Sequence, residues 1–136
     1  MIEIVTALVR DRHRHVLLVR KRGTESFMQP GGKREPGESD LDALARELRE
    51  ELGCGIVPGS ATKLGVFQAP AANEPGQQVR AAVYAVRLAG EIVCQAEIEE
   101  HAWIDPREPT GRTLAVLARD TVLPLALSLN DGHQAL

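Results

Sequence analysis

The stretch from Gly32 to Cys54, GKREPGESDLDALARELREELGC, sets a glycine-rich loop, an acidic helix and a helix stop side by side. Ser39 with Asp42 three residues on has the form of a capping box, Asp standing where Glu or Gln is usual. Leu41, Leu44, Leu48 and Leu52 recur at intervals of 3, 4 and 4, the apolar stripe of an amphipathic helix. Gly53 then supplies a residue that can end a helix in a left-handed turn. Opposite the stripe, Glu47, Glu50 and Glu51 fall at i, i+3 and i+4, so one face carries three carboxylates. Like charges at those spacings destabilise a helix by roughly 0.2–0.5 kcal/mol per pair. A hard divalent cation reverses that sign, because Mg²⁺ or Mn²⁺ takes carboxylate and phosphate oxygens. Three glutamates alone are usually a solvated face; with the glycine loop beside them, the block predicts a metal-dependent phosphate site.

The charge distribution agrees. The chain holds 19 acidic and 16 basic residues, net −3. Seven acidic and four basic residues lie in this block, which leaves the rest balanced at 12 and 12. A neutral body with one acidic cluster excludes a general nucleic-acid binder. At 136 residues the chain is expected to form one domain, 1–136, with a core of Leu, Val, Ile and Ala. No run approaches the ~18–20 apolar residues of a membrane span, so no membrane partner is expected. The N-terminus lacks the basic region and apolar run of a signal peptide, which predicts a cytoplasmic protein. Cys54 and Cys94 are accordingly expected as reduced thiols, and neither has zinc-ligand spacing.

Ile2 to Arg10 and His15 to Arg20 read as two strands of a hairpin turning at 11–14. Phe27 to Gln29 is a short extended piece, and residues 33 to 35 can pair briefly before Pro36-Gly37 turns the chain. Beyond the helix, Thr62 to Ala69 and Gln78 to Leu88 read as strands, with shorter candidates at Glu91 to Cys94 and Ala102 to Ile104. Thr113 to Arg119 and Thr121 to Leu129 look helical, with Asp120 as a cap near Pro124. This order predicts an α/β fold, a mixed sheet sandwiched between helices.

Gly32, Glu38, Arg46, Glu47, Glu50, Glu51 and Gly53 occupy all seven fixed positions of the Nudix box, G-x5-E-x7-R-E-U-x-E-E-x-G-U, where U is usually aliphatic. With each residue type near 5–8% of usage, a chance match at one start is on the order of 10⁻⁸. Leu48 fills an aliphatic position; Cys54 departs from the pattern at the last, where a small buried hydrophobe suffices. Pro30-Gly31-Gly32-Lys33 and Glu35-Pro36-Gly37-Glu38 extend the resemblance to small MutT-like members of that family.

The resemblance implies the Nudix α/β/α sandwich and hydrolysis of a nucleoside diphosphate linked to another group, with Mg²⁺ or Mn²⁺ as cofactor. The substrate would be a small-molecule nucleotide, a nucleoside triphosphate or a relative of it. ADP-ribose or nucleotide-sugar cleavage is the alternative, for which Pro70, 16 residues past the box, is a hint. A non-catalytic nucleotide sensor is a further reading, disfavoured because every box glutamate is present. By position Glu50 and Glu51 correspond to principal metal ligands, Glu47 to a ligand or general base, and the Gly31 carbonyl to a backbone ligand. Glu47, Glu50 and Arg46 form the expected catalytic set, while Gly32, Glu38 and Gly53, with Arg46, brace loop against helix. Family members often add a carboxylate from beyond the box, and Glu97, Glu99 and Glu100 are the candidates, Glu100 favoured. Homodimers are common among similar proteins, which makes a second copy a candidate partner.

The physical case stands beside the family. A pyrophosphate repels an attacking water, and metal ions neutralise that charge and acidify a bound water. A nearby carboxylate can take its proton. Arg20, Arg22 and Lys33 are candidate contacts for substrate phosphates, although Arg20-Lys21-Arg22 is equally a solvated strand end. Arg46 and Glu50 could be only a surface i,i+4 pair. Phe27 could stack on a base but reads better as core, as does Trp103, and His101 is by default an exposed histidine.

Overall fold

The computed structural model describes residues 1–129. Strand β1 (Ile2–Leu8) is followed by β2 (Val16–Lys21), β3 (Phe27–Met28), β4 (Gly31–Gly32) and helix α1 (Asp40–Leu52). Then come β5 (Gly55–Ile56), β6 (Thr62–Pro70), β7 (Gln78–Ala85), β8 (Leu88–Ala89) and β9 (Ile98–Ile104). A π-helical turn, Ala118–Val122, runs directly into α2 (Leu123–Ser128).

The strands form a mixed four-stranded sheet, β4-β1-β7-β6, a three-stranded sheet, β3-β2-β9, and the pair β5-β8. Within the first, β1 runs parallel to β7 and antiparallel to β4. The expected β1–β2 hairpin therefore exists only at its mouth, where Arg10 bridges Val16 and the Leu17 amide donates to the Val9 carbonyl at 2.9 Å. Past that point the strands part into separate sheets. Strand β1 is apolar on both faces, with Val5, Ala7 and Leu8 all fully buried. Both its edges are taken, by β4 and β7, so none is left for β2.

Helix α1 begins and ends where its local signals place it. The Ser39 hydroxyl accepts from the Asp42 amide at 3.1 Å, and Gly53, at φ 68°, donates its N–H to the Arg49 carbonyl. Its apolar face differs from the four-leucine stripe. Leu44, Leu48 and Leu52 are fully buried together with Ala43, whereas Leu41 is 41% exposed. Leu41 sits in the first turn, before the helix closes on the sheet. Glu51 is also buried, because position 51 follows Leu44 by seven residues and Leu48 by three, and so shares their face. The three glutamates are thus not all opposite the stripe.

Other boundaries also shift. The pairing expected at 33–35 falls instead on Gly31–Gly32, opposite Thr6 and Val5. Glu91–Cys94 is not a strand. The Val93 and Gln95 amides donate to the Leu52 and Glu51 carbonyls, satisfying acceptors that the end of α1 leaves open. The candidate at 102–104 extends back to Ile98, absorbing Glu99 and Glu100 into β9. At the C-terminus the two expected helical pieces are joined without a cap, since the Leu123 amide donates to the Ala118 carbonyl across a π turn. Pro124 has no N–H to offer the carbonyl four residues back, that of Asp120, so the ladder widens there. The Asp120 carboxylate is held by Arg119.

Two apolar layers result. Val5, Ala7, Val9, Leu17 and Val19 pack with the buried face of α1. Leu8, Val16, Leu18, Ala81 and Val83 pack with Leu117, Ala118, Val122 and Leu123 on the other side. This is an α/β/α sandwich. Phe27, 6% exposed, belongs to the second layer, with the Arg112 guanidinium 5.5 Å above its ring. Trp103 packs at the edge of the first.

The helix face can be tested by paired truncations. Leu48→Ala is expected to cost about 2–5 kcal/mol, since it opens a cavity in the core. Leu41→Ala should stay within about 0.5 kcal/mol of the parent. Urea midpoints at constant m-value measure both, and equal losses would contradict the face described.

Candidate active site

One end of α1 and the loop before it are tied together by a single guanidinium. Arg46 donates through Nε and Nη2 to the two carboxylate oxygens of Glu38 at 2.8 and 2.9 Å. Its Nη2 also reaches the Lys33 carbonyl at 3.0 Å, and its Nη1 the Glu47 carboxylate at 2.9 Å. Glu38 accepts besides from the Glu35 amide at 2.7 Å. These bonds favour the charged forms of both partners: the Glu38 carboxyl is lowered to about 2, chiefly by Arg46, and Arg46 is pushed above its ordinary value. Arg46 is not paired with Glu50, so the surface i,i+4 reading does not apply.

Two glycines bring the backbone against the helix. Gly31 sits at φ 147°, and a Cβ there would collide with the Val5 carbonyl of the neighbouring strand. A Cβ on Gly32 would come within 2.5 Å of the Glu47 carboxyl carbon. Close approach at this point requires the absence of a side chain. It lets the Gly31 amide donate to Glu51 Oε1 at 3.2 Å.

The three helix carboxylates are graded by exposure. Glu50 is exposed and has no hydrogen-bond or ion-pair partner among the described residues. Glu47 is half-buried under Arg46, and Glu51 is 8% exposed. Burial raises the Glu51 carboxyl to about 8, with Glu47 and Glu50 adding repulsion while the Gly31 amide and Lys21 pull the other way. Among the described residues no three His, Cys, Asp or Glu side chains are already drawn together as a metal cage. Glu47 and Glu51 are engaged elsewhere, by Arg46 and the Gly31 amide. The donor set nonetheless fits a hard divalent cation. It is all oxygen, and its buried member carries a charge cost that a cation would offset.

These glutamates line one end of a cavity of about 310 Å³, within the range of small-molecule sites. Gly31, Gly32 and Lys33 line the same end. The lining also includes apolar side chains of β1, β3 and β7, and Leu117 ahead of α2. Asn73 and Glu74, from the β6–β7 loop, also contribute to the lining, as does Pro70.

Arg20, Arg22 and Glu100 are placed away from this lining. Arg20 pairs with Glu100 at 2.7 Å and donates to the Thr24 carbonyl, while Arg22 contacts Glu99 and the Ala96 carbonyl. Lys21 and Glu97 line the cavity in their stead, 3.9 Å apart. Strand alternation carries the signal for Lys21, since Val19 and Lys21 share a face that Arg20 and Arg22 do not. A bulge between β2 and β9 at Arg20/Lys21 breaks the alternation on β9 and obscures Glu97. Thr6 and Gln29, both buried and both lining the cavity, carry no motif that would single them out.

Between pH 4.5 and 8 the folded chain keeps a proton on Glu51 that the unfolded chain has released. Stability should therefore fall as pH rises through that window and level off above it. In metal-free buffer with EDTA, the Tm of the parent minus that of Glu51→Gln is expected to become more negative from pH 5 to 8. A difference independent of pH would show that Glu51 ionises normally.

Comparison with known proteins yields a family model, described as the NUDIX domain, that matches residues 2–125. A CTP pyrophosphohydrolase of Escherichia coli K12 is 41% identical over 43% of this chain and 46% of its own. An ADP-ribose pyrophosphatase of Methanocaldococcus jannaschii is 26% identical over 70% of this chain and 57% of its own. The chain thus spans about half the length of these curated relatives. A crystal structure of a MutT NUDIX hydrolase from Burkholderia pseudomallei superposes with a TM-score of 0.74 at 25% identity, covering 90% of this chain and 95% of that one.

Proposed function

The chain belongs to the NUDIX domain family, and on that footing we propose that it hydrolyses a phosphoanhydride bond of a nucleoside triphosphate, releasing the nucleoside monophosphate and pyrophosphate. The observation that carries this reading is the buried carboxylate of Glu51, grouped with Glu47 and Glu50 on the lining of a cavity that also has apolar walls from β1, β3 and β7. Carboxylates alone would repel a polyphosphate. Together with divalent cations and with Lys21 and Lys33 on the same lining, they can hold one.

The side chains of Glu47, Glu50 and Glu51 and the carbonyl of Gly31 are the groups that would hold Mg²⁺ or Mn²⁺. Bound there, the cation would supply charge neutralisation at the phosphates and a more acidic water. Glu47 is fixed by Arg46, and Glu50 is unpaired among the described residues, so each has oxygen available to accept the proton of an attacking water. Arg46 acts as a positioning residue: through Glu38 and the Lys33 carbonyl it keeps the glycine loop against the helix.

The ADP-ribose reading keeps one specific support, Pro70 on the cavity lining. A substrate panel separates the two, with Mg²⁺ and nucleoside triphosphates, their oxidised forms, ADP-ribose, NADH, diadenosine polyphosphates and nucleotide sugars. Release of nucleoside monophosphate from a triphosphate is expected, abolished by EDTA. Glu50→Gln and Glu51→Gln should each lower kcat by on the order of 10²-fold or more. Full activity in EDTA would remove the metal from the mechanism, and parent-like rates in both variants would remove these residues from the site.

A further inference from the structure

Lys33 lines the cavity with the helix carboxylates, and its carbonyl accepts from Arg46 Nη2 at 3.0 Å. The next residue, Arg34, is off that lining and makes its contacts on the reverse face of the four-stranded sheet. Register puts Glu3, Arg80 and Tyr84 on that face, while Ile4, Thr6 and Val79 face the cavity. Arg34 Nη1 donates to Asp40 Oδ1, and Arg34 Nη2 lies 4.0 Å from Glu3. Asp40 opens helix α1 and is tied to the sheet as well, since the Tyr84 hydroxyl donates to its Oδ2 at 2.8 Å. Lys63 Nζ, on β6, stands 3.9 Å from the same oxygen.

An acid in the first turn of a helix is favoured by the helix dipole, which offers a plain reason for Asp40. Asp42 already meets that need. It lies in the same turn, is exposed, and its carboxylate has no hydrogen-bond or ion-pair partner among the described residues. Asp40 differs, with a side chain only 15% exposed and contacts to three segments. The Tyr84 hydroxyl, with Arg34 and Lys63, holds the Asp40 carboxyl below its ordinary value, and burial together with Asp40 pushes the Tyr84 phenol up to about 12. Both shifts keep the proton on Tyr84 and the charge on Asp40. One peptide joins Arg34 to Lys33. A guanidinium pinned on the reverse face therefore limits where the Lys33 backbone, and with it the ammonium, can stand on the cavity side.

We propose that Asp40, anchored by Tyr84, is a positioning residue for the reaction: through Arg34 it sets the place of Lys33, whose ammonium holds a phosphate of the substrate. This rests on the nucleotide reading above. Arg46 holds the Lys33 carbonyl from the helix, and Asp40 holds the following side chain from the sheet, so the loop is fixed from both sides at the residue that meets the phosphate.

The test compares the parent with Asp40→Asn, Tyr84→Phe, Lys33→Met, the double variant Lys33→Met/Asp40→Asn, and Asp42→Asn as the control for helix charge. With Mg²⁺ and a nucleoside triphosphate, kcat and KM are measured well below the Tm of each protein, together with the inhibition constant of inorganic triphosphate. Asp40→Asn is expected to raise KM and the triphosphate constant together by about fivefold or more, with kcat within about twofold, as loss of a phosphate contact made in ground and transition states alike requires. Tyr84→Phe should move both constants in the same direction by less, and Asp42→Asn should match the parent. In the Lys33→Met background, Asp40→Asn should add less than about twofold, because the two act through one contact. Parent-like constants in Asp40→Asn or in Lys33→Met overturn the proposal, as do additive effects in the double variant. An Asp42→Asn variant as impaired as Asp40→Asn overturns it too, since helix charge would then be the cause. Should Asp40→Asn not fold, Tyr84→Phe with and without Lys33→Met decides by the same additivity. A parent that hydrolyses no nucleoside triphosphate defeats the nucleotide reading and this proposal with it; an active parent with an unchanged Asp40→Asn defeats this proposal alone.

Discussion

The fork of Arg46 on Glu38 is the contact on which the rest of the site depends. It closes the seven-residue loop 33–39 onto a helix with two parallel charge-assisted bonds, while a third bond holds the Lys33 carbonyl. The stability this contributes is modest, since both groups stay partly in water. Its effect is positional. With the loop clamped, Gly31 lies against the β1 backbone at a distance no residue with a Cβ could accept, Gly32 lies against the Glu47 carboxylate, and the Gly31 amide reaches a carboxylate inside the fold. A lysine at position 46 would keep the charge and lose the fork, and with it the register of the loop.

What was legible in the sequence is what local chemistry decides. The limits of α1 follow from Ser39 and Gly53, and both act through bonds to residues three or four positions away. The site block was legible for the same reason, its loop and helix being contiguous. The α/β/α layering followed from the order of elements. Less was legible wherever two distant segments compete for one edge or one face. The β1–β2 hairpin failed because β4 takes the edge of β1 that β2 would have used, while β7, some seventy residues on, takes the other. Leu41 and Glu51 depart from the 3, 4, 4 stripe because spacing along a helix does not say where the sheet meets it.

The charged residues around the cavity make the same point. Arg20 and Glu100 satisfy each other across β2 and β9, whereas Lys21 and Glu97, beside them in sequence, line the cavity. The difference is strand parity combined with one bulge, where β9 takes an extra residue opposite β2 that its own sequence does not announce. The π turn before α2 is an intermediate case. Pro124 announces that a hydrogen bond will be missing, but whether the helix stops or widens depends on Ala118 and Val122 both being buried in the core.

Five polar or charged side chains are buried among the described residues, and three of them, Thr6, Gln29 and Glu51, line the one cavity. Of the other two, Ser60 accepts from the Arg87 amide, and Arg10 has interactions of its own. Thr6 Oγ1 and Gln29 Nε2, buried without a hydrogen-bond partner, and the reluctantly charged Glu51 therefore belong to the lining of a single cavity. A chain selected for stability alone would have apolar residues at these positions, as it has at Val5, Ala7 and Leu48 nearby. Each of the three is a local cost to the fold that a bound ligand can offset.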